Sequence, residues 1–343
     1  MIGTAALEGP WALALYGATF GMAALASLWG TPLMRQAALN FGIVDMPDGQ
    51  LKTHREPVPY LGGLAVYGSC LVALAATFDF VPEVMGLLLA GAIVVILGLV
   101  DDLGGLGPKT KLAGQVLAVW VLVKSGVYIK LVFLPPWLQI TLTVLWLLAV
   151  CNAFNLIDIM DGLSTGVALI ASLFLLGVAA AAGRVMIATM LAALAGALAG
   201  FLKFNFEPAR IYLGDTGSLF IGLMLGALAM NNSYTRVNPV ASVAPVVILG
   251  VPIFDMLFVM YVRWRRGLPV MKGSPDHFAL RLRHWRLTTR QTVLASYGAT
   301  AFLGSVAVGV MLLPTRGAIG LLAATAVGGL VVAVVLKQID MKL

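Results

Sequence analysis

Long apolar segments recur along the whole of this 343-residue chain and restrict its fold more than any other feature. Most approach the roughly 20 residues that a helix needs to cross a membrane. Only helices and closed barrels satisfy their backbone in lipid, and these runs are too long for barrel strands. The sequence therefore predicts an all-α integral membrane protein with ten or eleven transmembrane helices. The eleven candidate spans are residues 11–30, 60–78, 84–100, 112–127, 138–151, 163–182, 185–203, 218–231, 241–262, 292–313 and 316–336.

The composition agrees with this class, because 60% hydrophobic and 11% charged residues exclude a soluble globular domain. The first ten residues contain no Lys or Arg, so the first run is expected to remain as a span rather than to be cleaved as a signal peptide. The net charge of +7 requires no nucleic-acid partner, since anionic headgroups and anionic substrates account for it.

The basic residues predict the orientation of the chain. Seventeen of the 22 Lys and Arg residues fall in alternate loops or at the C-terminus, which are therefore expected in the cytoplasm, with the N-terminus outside. Most acidic residues share that side, and Asp255 is the one placed inside a span. A transporter or channel would carry ionisable groups at mid-membrane. The pattern therefore favours an active site at the cytoplasmic face.

Four polar residues follow the fifth apolar run at intervals of three, and they are Asn152, Asn155, Asp158 and Asp161. On a helix, residues three apart are surface neighbours, so the spacing predicts a polar stripe. Amide and carboxylate oxygens along such a stripe would meet any ligand that binds there. The competing interpretation is an amide-rich helix cap between two spans.

Adjacent aspartates, Asp101 and Asp102, end the third span, and Lys111 lies at the start of the fourth. Two neighbouring carboxylates repel unless a cation or a proton lies between them, so a divalent metal is the expected mediator. The two side chains face different directions on a helix. One is expected to reach the metal region and the other the reacting group, unless the pair is only a solvated acidic helix end.

The eighth span begins with a polar turn, Gly214 to Ser218, that interrupts apolar sequence. Asp and Thr are good helix caps. An aspartate flanked by glycines, as Asp215 is, is also a good ligand for a hard cation such as Mg²⁺. The turn is therefore predicted to restart a helix and to carry a metal ligand.

The first and last cytoplasmic loops are the remaining candidates for ligand contact. Prolines shape the loop of residues 45–63, where Gly62 and Gly63 are expected to let backbone approach a ligand. Lys52, His54 and Arg55 are candidates to hold phosphate oxygens there, and the competing interpretation is an ordinary positively charged cytoplasmic loop. The loop of residues 263–291 is the most basic, and from Pro275 it predicts an amphipathic helix. That helix either lies in the headgroup plane or contacts substrate.

Two glycine pairs with a spacing of four, Gly196 with Gly200 and Gly222 with Gly226, predict close helix packing in lipid. The two cysteines lie far apart and within or beside apolar runs. They are interpreted as packing residues, with no disulfide or metal-binding spacing.

Five motifs in collinear order, from about Asp45 to Val293, resemble those of the polyprenyl-phosphate N-acetylhexosamine-1-phosphate transferase family, also called glycosyltransferase family 4. This family includes GlcNAc-1-phosphate transferases and the phospho-MurNAc-pentapeptide translocase. The motifs are the loop Asp45/Pro47/Lys52/His54/Pro57/Pro59/Gly62/Gly63, the pair Asp101/Asp102 with Lys111 and Gln115, the run Asn152/Asn155/Asp158/Asp161/Gly162, the turn Gly214/Asp215/Thr216/Gly217/Ser218, and His277 with Arg281.

The resemblance implies transfer of an N-acetylhexosamine 1-phosphate, with GlcNAc the expected sugar, from a UDP-sugar to undecaprenyl or another polyprenyl phosphate, with release of UMP. It implies Mg²⁺, or Mn²⁺ in its place, as the cofactor. It also implies a multi-pass protein of the bacterial inner membrane that acts early in cell-envelope polysaccharide synthesis, for example of O-antigen. A homodimer is one expected assembly.

The resemblance also assigns roles to residues within one transferase domain, 1–343, whose catalytic loops are about 31–59, 101–111, 152–162, 204–217 and 263–291. Metal binding falls to Asn155 and Asp215. Catalysis falls to Asp101, Asp102 and Asp158, of which Asp158 is also grouped with the residues that hold the nucleotide sugar. Substrate binding falls to Lys52, Lys111, Asn152, Asp161, His277 and Arg281. Both a direct attack by the lipid phosphate and a covalent intermediate fit these residues.

Three departures from the family pattern affect the choice among its branches. Ile159 and Leu51 replace a usual Gly and Arg, and the multiple-histidine motif is reduced to His277. The missing histidines argue against the MurNAc-pentapeptide branch, which remains the first alternative. A membrane transporter and an inactive scaffold are the alternatives from other classes.

Overall fold

The computed structural model describes residues 9–45, 57–77, 81–131, 134–269, 274–339 and 341. Within these ranges the chain forms thirteen α-helices and one two-stranded antiparallel sheet. The prediction of an all-α membrane protein is confirmed at this level. The chain divides into two compact units, Met1–Asn232 and Ser233–Leu343. The prediction of a single transferase domain stays a prediction.

The first unit contains eight helices and the small sheet. They are α1 (Pro10–Asn40), β1 (Val44–Asp45), β2 (Val58–Pro59), α2 (Gly62–Thr77), α3 (Pro82–Gly104), α4 (Pro108–Lys124), α5 (Pro136–Ile157), α6 (Leu163–Ala181), α7 (Val185–Asn205) and α8 (Gly214–Met230). Four of the helices, α1, α3, α4 and α5, begin at a proline. Proline suits a first turn because the N–H that it lacks has no partner within the helix.

Helices α7 and α8 form the core of the first unit. Helix α7 packs on α1, α2 and α6, and α8 packs on α2, α3 and α5. A Cβ atom on Gly196 would lie 2.2 Å from the carbonyl oxygen of Phe20, and one on Gly222 would lie 2.7 Å from the Cα atom of Cys151. The predicted close packing at these glycines is confirmed, and any larger residue would force the helices apart.

The start of α8 is held against α2 by backbone contacts. The N–H groups of Gly62 and Gly63 donate to the carbonyls of Tyr212 at 3.1 Å and Leu213 at 2.9 Å. A Cβ atom on Gly63 would lie 2.2 Å from the nitrogen of Gly217. These two glycines therefore let protein backbone approach closely, and the prediction that they would face a ligand is wrong.

The second unit contains a short 3₁₀ helix and five α-helices. They are Pro239–Val243, α9 (Ala244–Ile248), α10 (Gly250–Arg265), α11 (Phe278–His284), α12 (Thr289–Leu312) and α13 (Thr315–Lys337). Helices α9 and α10 are bent by 74° at their junction. Helix α11 has seven residues and buries Phe278, Ala279 and Arg281. A helix does form in this loop, as the sequence predicts, but it begins at Phe278 rather than at Pro275 and its central arginine is buried. Its placement in the headgroup plane or against substrate stays a prediction.

Within the described ranges, seven helices are long and apolar enough to cross a membrane, or eight if α9 and α10 together form one span. Two further apolar helices, α2 and α8, are shorter. Each of the eleven predicted segments falls on a helix or on the bent pair. The chain is thus a multi-pass membrane protein, whereas a count of ten or eleven spans goes beyond what helix length supports.

Candidate active site

Lys111 lies at the centre of an oxygen-rich cluster in the first unit. Its ammonium contacts Asp101 Oδ2 at 2.9 Å and Asn155 Oδ1 at 3.0 Å, and it also contacts Asp215 Oδ2. These four residues come from the first turn of α4, the last turns of α3 and α5, and the first turn of α8. We call them the Lys111 cluster. Sequence analysis selected all four, and the fold brings them together.

Asn155 links two members of this cluster through both ends of its amide. Its oxygen accepts from Lys111, while its Nδ2 donates to Asp215 Oδ1 at 2.7 Å and to Ser218 Oγ at 3.0 Å. Both carboxylate oxygens of Asp215 are therefore occupied by donors. The hydroxyl of Ser218 belongs to the same predicted turn, but only the fold shows that it contacts Asn155.

Asp102 faces the start of α8 rather than the Lys111 cluster. Its carboxylate accepts from the N–H of Asp215 at 2.8 Å, the N–H of Thr216 at 3.1 Å and the hydroxyl of Thr216 at 2.7 Å. These N–H groups have no partner within a helix, so Asp102 caps α8 from a different helix. The two adjacent aspartates do diverge, as expected, but Asp102 meets backbone donors where a reacting group was predicted.

Two glycines make this cap sterically feasible. Gly214 has a φ of 72°, and a Cβ atom there would lie 2.6 Å from Asp102 Oδ2. A Cβ atom on Gly98 would lie 2.4 Å from the nitrogen of Thr216. Glycine at both positions lets α3 approach the first turn of α8, which fixes the position of Asp215.

The run of four polar residues does not form one helical stripe. Helix α5 ends at Ile157, so Asn152 and Asn155 lie on its last turns while Asp158 and Asp161 lie in the connection to α6. Asn152 exchanges two hydrogen bonds with Gln115, at 2.9 and 3.3 Å. The prediction of a continuous stripe is wrong because the chain leaves the helix before its third polar residue.

Asp158 is a partly exposed carboxyl next to the cluster. No side chain or backbone N–H in the described ranges donates a hydrogen bond to it. Burial raises the pKa of this carboxyl well above its ordinary value, and the charge of Asp215 raises it further. Asp161, in contrast, accepts from the N–H of Ala209 at 2.8 Å. Asp158 therefore has oxygen atoms free to meet a ligand, whereas Asp161 is partly used to hold the loop before α8.

Three residues near the sheet were not identified by sequence analysis as a group. Tyr60 hydrogen-bonds the buried carboxylate of Asp45, and its ring lies 6.1 Å from that of Tyr212 between centroids. Burial raises the pKa of both phenols. Tyrosines are not rare beside spans, so nothing in the sequence marked this contact.

Lys52, the predicted phosphate ligand, lies outside the described residues.

The second unit holds the other two predicted substrate ligands. His277 Nδ1 lies 2.6 Å from Asp255 Oδ2, and both side chains are buried. Arg281 donates to Asp276 Oδ1 at 2.6 Å and to the carbonyls of Leu336 at 3.0 Å and Ile339 at 2.8 Å. Most N–H groups of Arg281 thus bind the protein itself. Its role as a substrate ligand, like that of His277, stays a prediction.

The oxygen atoms of the Lys111 cluster are of the type that binds a hard cation. No group of three or more His, Cys, Asp or Glu side chains able to hold a metal ion occurs in the part of the chain that the structure describes. Mg²⁺ usually takes only one or two protein carboxylates plus substrate phosphates and water. The oxygens of Asp215, Asn155 and Asp101 meet that requirement, and in this structure they converge on the ammonium of Lys111.

Comparison with known proteins shows the family to which this sequence belongs. The sequence model described as "Glycosyl transferase family 4" matches residues 84–233, a range that contains the whole Lys111 cluster. A relative from Bacillus subtilis named "Probable undecaprenyl-phosphate N-acetylglucosaminyl 1-phosphate transferase" is 33% identical over 276 residues, covering 78% of this chain and 77% of the relative.

Other bacteria supply further relatives. The Mycolicibacterium smegmatis "Decaprenyl-phosphate N-acetylglucosaminephosphotransferase" is 33% identical over 323 residues, covering 83% of this chain and 79% of its own. An Escherichia coli "Undecaprenyl-phosphate alpha-N-acetylglucosaminyl 1-phosphate transferase" is 24% identical over 289 residues, with coverages of 80% and 78%. The protein is thus a multi-pass membrane transferase. It belongs to glycosyl transferase family 4, and the resemblance found in the sequence is confirmed.

Proposed function

We propose that this protein transfers N-acetylglucosamine 1-phosphate from UDP-N-acetylglucosamine to a polyprenyl phosphate such as undecaprenyl phosphate. The names of the relatives support N-acetylglucosamine 1-phosphate as the transferred group and this class of lipid acceptor. The products are a polyprenyl-pyrophosphoryl sugar and UMP. We further propose that this is the first membrane step of a cell-envelope polysaccharide pathway, such as that of O-antigen.

The reaction exchanges one phosphorus–oxygen bond for another. An oxygen of the lipid phosphate attacks the phosphorus that carries the sugar, and the bond from this phosphorus to UMP breaks, so that UMP leaves with the electron pair. Such a reaction asks the protein mainly for positioning and for neutralisation of charge. The observation that carries the proposal is the convergence of Asp101, Asn155 and Asp215 on Lys111 from four helices.

Asp215 and Asn155 would hold Mg²⁺, or Mn²⁺ in its place, and the metal would neutralise charge on the pyrophosphate of the donor. Lys111 would then contact the lipid phosphate, for which its ammonium supplies the opposite charge. Asp158 is assigned to the donor substrate because no group within the described ranges donates a hydrogen bond to its oxygens. Asp101 fixes Lys111, and Asp102 fixes Asp215 through the cap of α8.

We also propose ten or eleven spans, an inner-membrane location, a cytoplasmic active site and a homodimer as the assembly. The positive charge of the loops supports the orientation. The orientation is tested with single-cysteine variants at two exposed lysines, Lys109 and Lys130. A membrane-impermeant maleimide should label Lys130→Cys in intact spheroplasts and Lys109→Cys only after permeabilisation. The reverse labelling pattern would show that the chain has the opposite orientation in the membrane.

The activity is tested with purified protein, Mg²⁺, undecaprenyl phosphate and a panel of UDP-sugars, with UMP and the lipid product as readouts. We expect UMP release with UDP-N-acetylglucosamine and none without lipid. Release only with UDP-MurNAc-pentapeptide would assign the protein to the translocase branch. Flux of a ligand into sealed vesicles without UMP release would show that the protein is a transporter. Nucleotide binding without turnover would show that it is an inactive scaffold.

A further inference from the structure

Asp255 and His277 form a buried carboxylate–imidazole pair in the second unit. Asp255 lies on α10 and is fully buried, and the His277 side chain is 5% exposed. Oδ2 of Asp255 lies 2.6 Å from His277 Nδ1, and Oδ1 accepts from the N–H of Phe278 at 2.8 Å. The single carboxylate therefore fixes both the imidazole ring and the backbone at which α11 begins.

The charged groups around this pair have partners of their own. Asp276 binds Arg281 at 2.6 Å and Arg266 at 3.0 Å. Arg263 donates its Nε–H to the carbonyl of Pro269 at 2.7 Å. Within the described ranges, His277 is thus the one ionisable side chain in direct contact with Asp255. A buried carboxylate is costly unless it is hydrogen-bonded, so the contacts with His277 Nδ1 and with the N–H of Phe278 are what stabilise Asp255 there.

The second ring nitrogen of His277 is Nε2. In the part of the chain that is described, Nε2 has no hydrogen-bond partner, and it is not among the fully buried polar atoms that lack one. It therefore reaches the small exposed part of the side chain. The partner of one imidazole nitrogen decides what the other can do. With Nδ1–H committed to Asp255, a second proton on Nε2 makes the ring a cation whose free N–H can donate to an anionic oxygen.

We infer that Asp255 is a positioning residue that holds His277 with its proton on Nδ1 and leaves Nε2 as the ring nitrogen that an anionic ligand can reach. This inference rests on the proposed function. Asp255 does not touch substrate and acts through His277. It also gives a role to the one acidic residue that the sequence places inside a span, where ionisable groups are expensive and usually functional.

The first test reads the proton directly. The chain has three histidines, so ¹⁵N-histidine labelling gives few ring signals, and His277→Gln assigns those of His277. We expect the proton of the neutral His277 ring to lie on Nδ1. In Asp255→Asn the amide would donate to Nδ1, so the proton of the neutral ring should move to Nε2. Asp276→Asn, a matched change one residue from His277, should leave the tautomer unchanged.

The second test is kinetic and follows transfer to undecaprenyl phosphate. Asp255→Asn should raise KM for the UDP-sugar roughly ten- to hundredfold, the loss expected for one charge-assisted hydrogen bond, with a smaller change in kcat. In the His277→Gln background the same substitution should add nothing further.

The two tests separate the possible failures. An Nε2–H tautomer in the wild-type protein, or an unchanged tautomer in Asp255→Asn, would overturn the inference. Additive kinetic effects of the two substitutions would also overturn it. If Asp255→Asn does not fold, the wild-type spectrum still decides the position of the proton. If the protein transfers no sugar phosphate at all, the kinetic test fails with the proposed function, whereas the spectrum still reports on the pair.

Discussion

Asp102 accepts a hydrogen bond from the backbone N–H of Asp215 at 2.8 Å, so the last turn of α3 determines where the first turn of α8 begins. The same carboxylate accepts two more hydrogen bonds from Thr216. The side-chain carboxylate of Asp215 contacts Lys111 and Asn155 instead. Two adjacent aspartates thus have separate tasks, with Asp101 holding the lysine and Asp102 holding the helix that carries Asp215.

Replacing Asp102 with asparagine should therefore displace Asp215. Asparagine offers one acceptor oxygen to three donors, and a lost helix cap typically costs about 0.5 to 2 kcal/mol. We expect Asp102→Asn to lose UMP release almost completely and to unfold at a lower temperature, while still inserting into the membrane. Thr216→Val is the matched control, because it removes only the hydroxyl donor and should cost less than about tenfold in rate. Wild-type activity in Asp102→Asn would contradict this role.

Removing the ammonium of Lys111 should strengthen the response to divalent metal. In the wild-type protein this ammonium contacts the oxygens of Asp215 and Asn155 that would hold the metal, so the two cations would compete for them. We expect Lys111→Gln to be less stable without metal, since two carboxylates lose their cation. Its melting temperature should then rise more on addition of Mg²⁺ than that of the wild-type protein. Lys109→Gln, an exposed neighbour, should behave like wild type, and an identical Mg²⁺ response in all three proteins would exclude competition.

Ionisation of Asp158 should destabilise the fold as the pH rises. Its pKa is raised in the folded protein above the unfolded value of roughly 4. Between these two values the unfolded state binds fewer protons, so stability falls with increasing pH. Asp158→Asn removes the titration and should melt at a higher temperature than wild type near pH 7 in EDTA, with little difference near pH 4. The control is Glu83→Gln at the far end of α3, and parallel melting curves for wild type and Asp158→Asn would refute ionisation of Asp158 as the cause.

Arg281 should act first as a structural residue. Its side chain is 1% exposed, and its guanidinium binds Asp276 together with the carbonyls of Leu336 and Ile339. Breaking a buried ion pair by removing one partner costs about 3 to 5 kcal/mol. We expect Arg281→Gln to lower the melting temperature strongly, and Arg283→Gln, on the same helix and partly exposed, to leave it nearly unchanged. A stable Arg281→Gln protein with a raised KM for the nucleotide sugar would instead support the substrate role predicted from sequence.

The sequence identified the members of the Lys111 cluster because the chemistry restricts residue types. Few side chains suit phosphate and hard cations, and those few are conspicuous beside apolar spans. The positions of helix ends were less predictable. The three-residue spacing of Asn152, Asn155 and Asp158 fits a continuing helix, yet α5 ends at Ile157, and Gly162, with a φ of 74°, leads into α6. Local spacing does not encode where tertiary contacts stop a helix.

Contacts between distant segments could not be predicted from the sequence for a similar reason. Nothing near Asp255 indicates that its partner is His277, because the pairing depends on how the chain returns after α10. Nor does the doublet of Asp101 and Asp102 show which carboxylate caps α8. Gly62 and Gly63 were correctly identified as sites of close approach, but the approaching group is the backbone of residues 212–217. In each case the residue type was informative and the partner was fixed only by packing.

The most direct test of the Lys111 cluster as a phosphotransferase site is the stoichiometry of transfer in wild type and Asp215→Asn. Purified protein is supplied with UDP-N-acetylglucosamine labelled in the sugar, undecaprenyl phosphate and Mg²⁺, and UMP and labelled lipid are counted. We expect one UMP for each lipid-linked sugar in the wild-type protein and a loss of at least about a thousandfold in Asp215→Asn, because the removed carboxylate is the one that would hold the metal against the pyrophosphate of the donor. Equal rates in the two folded proteins would contradict the assignment of this site.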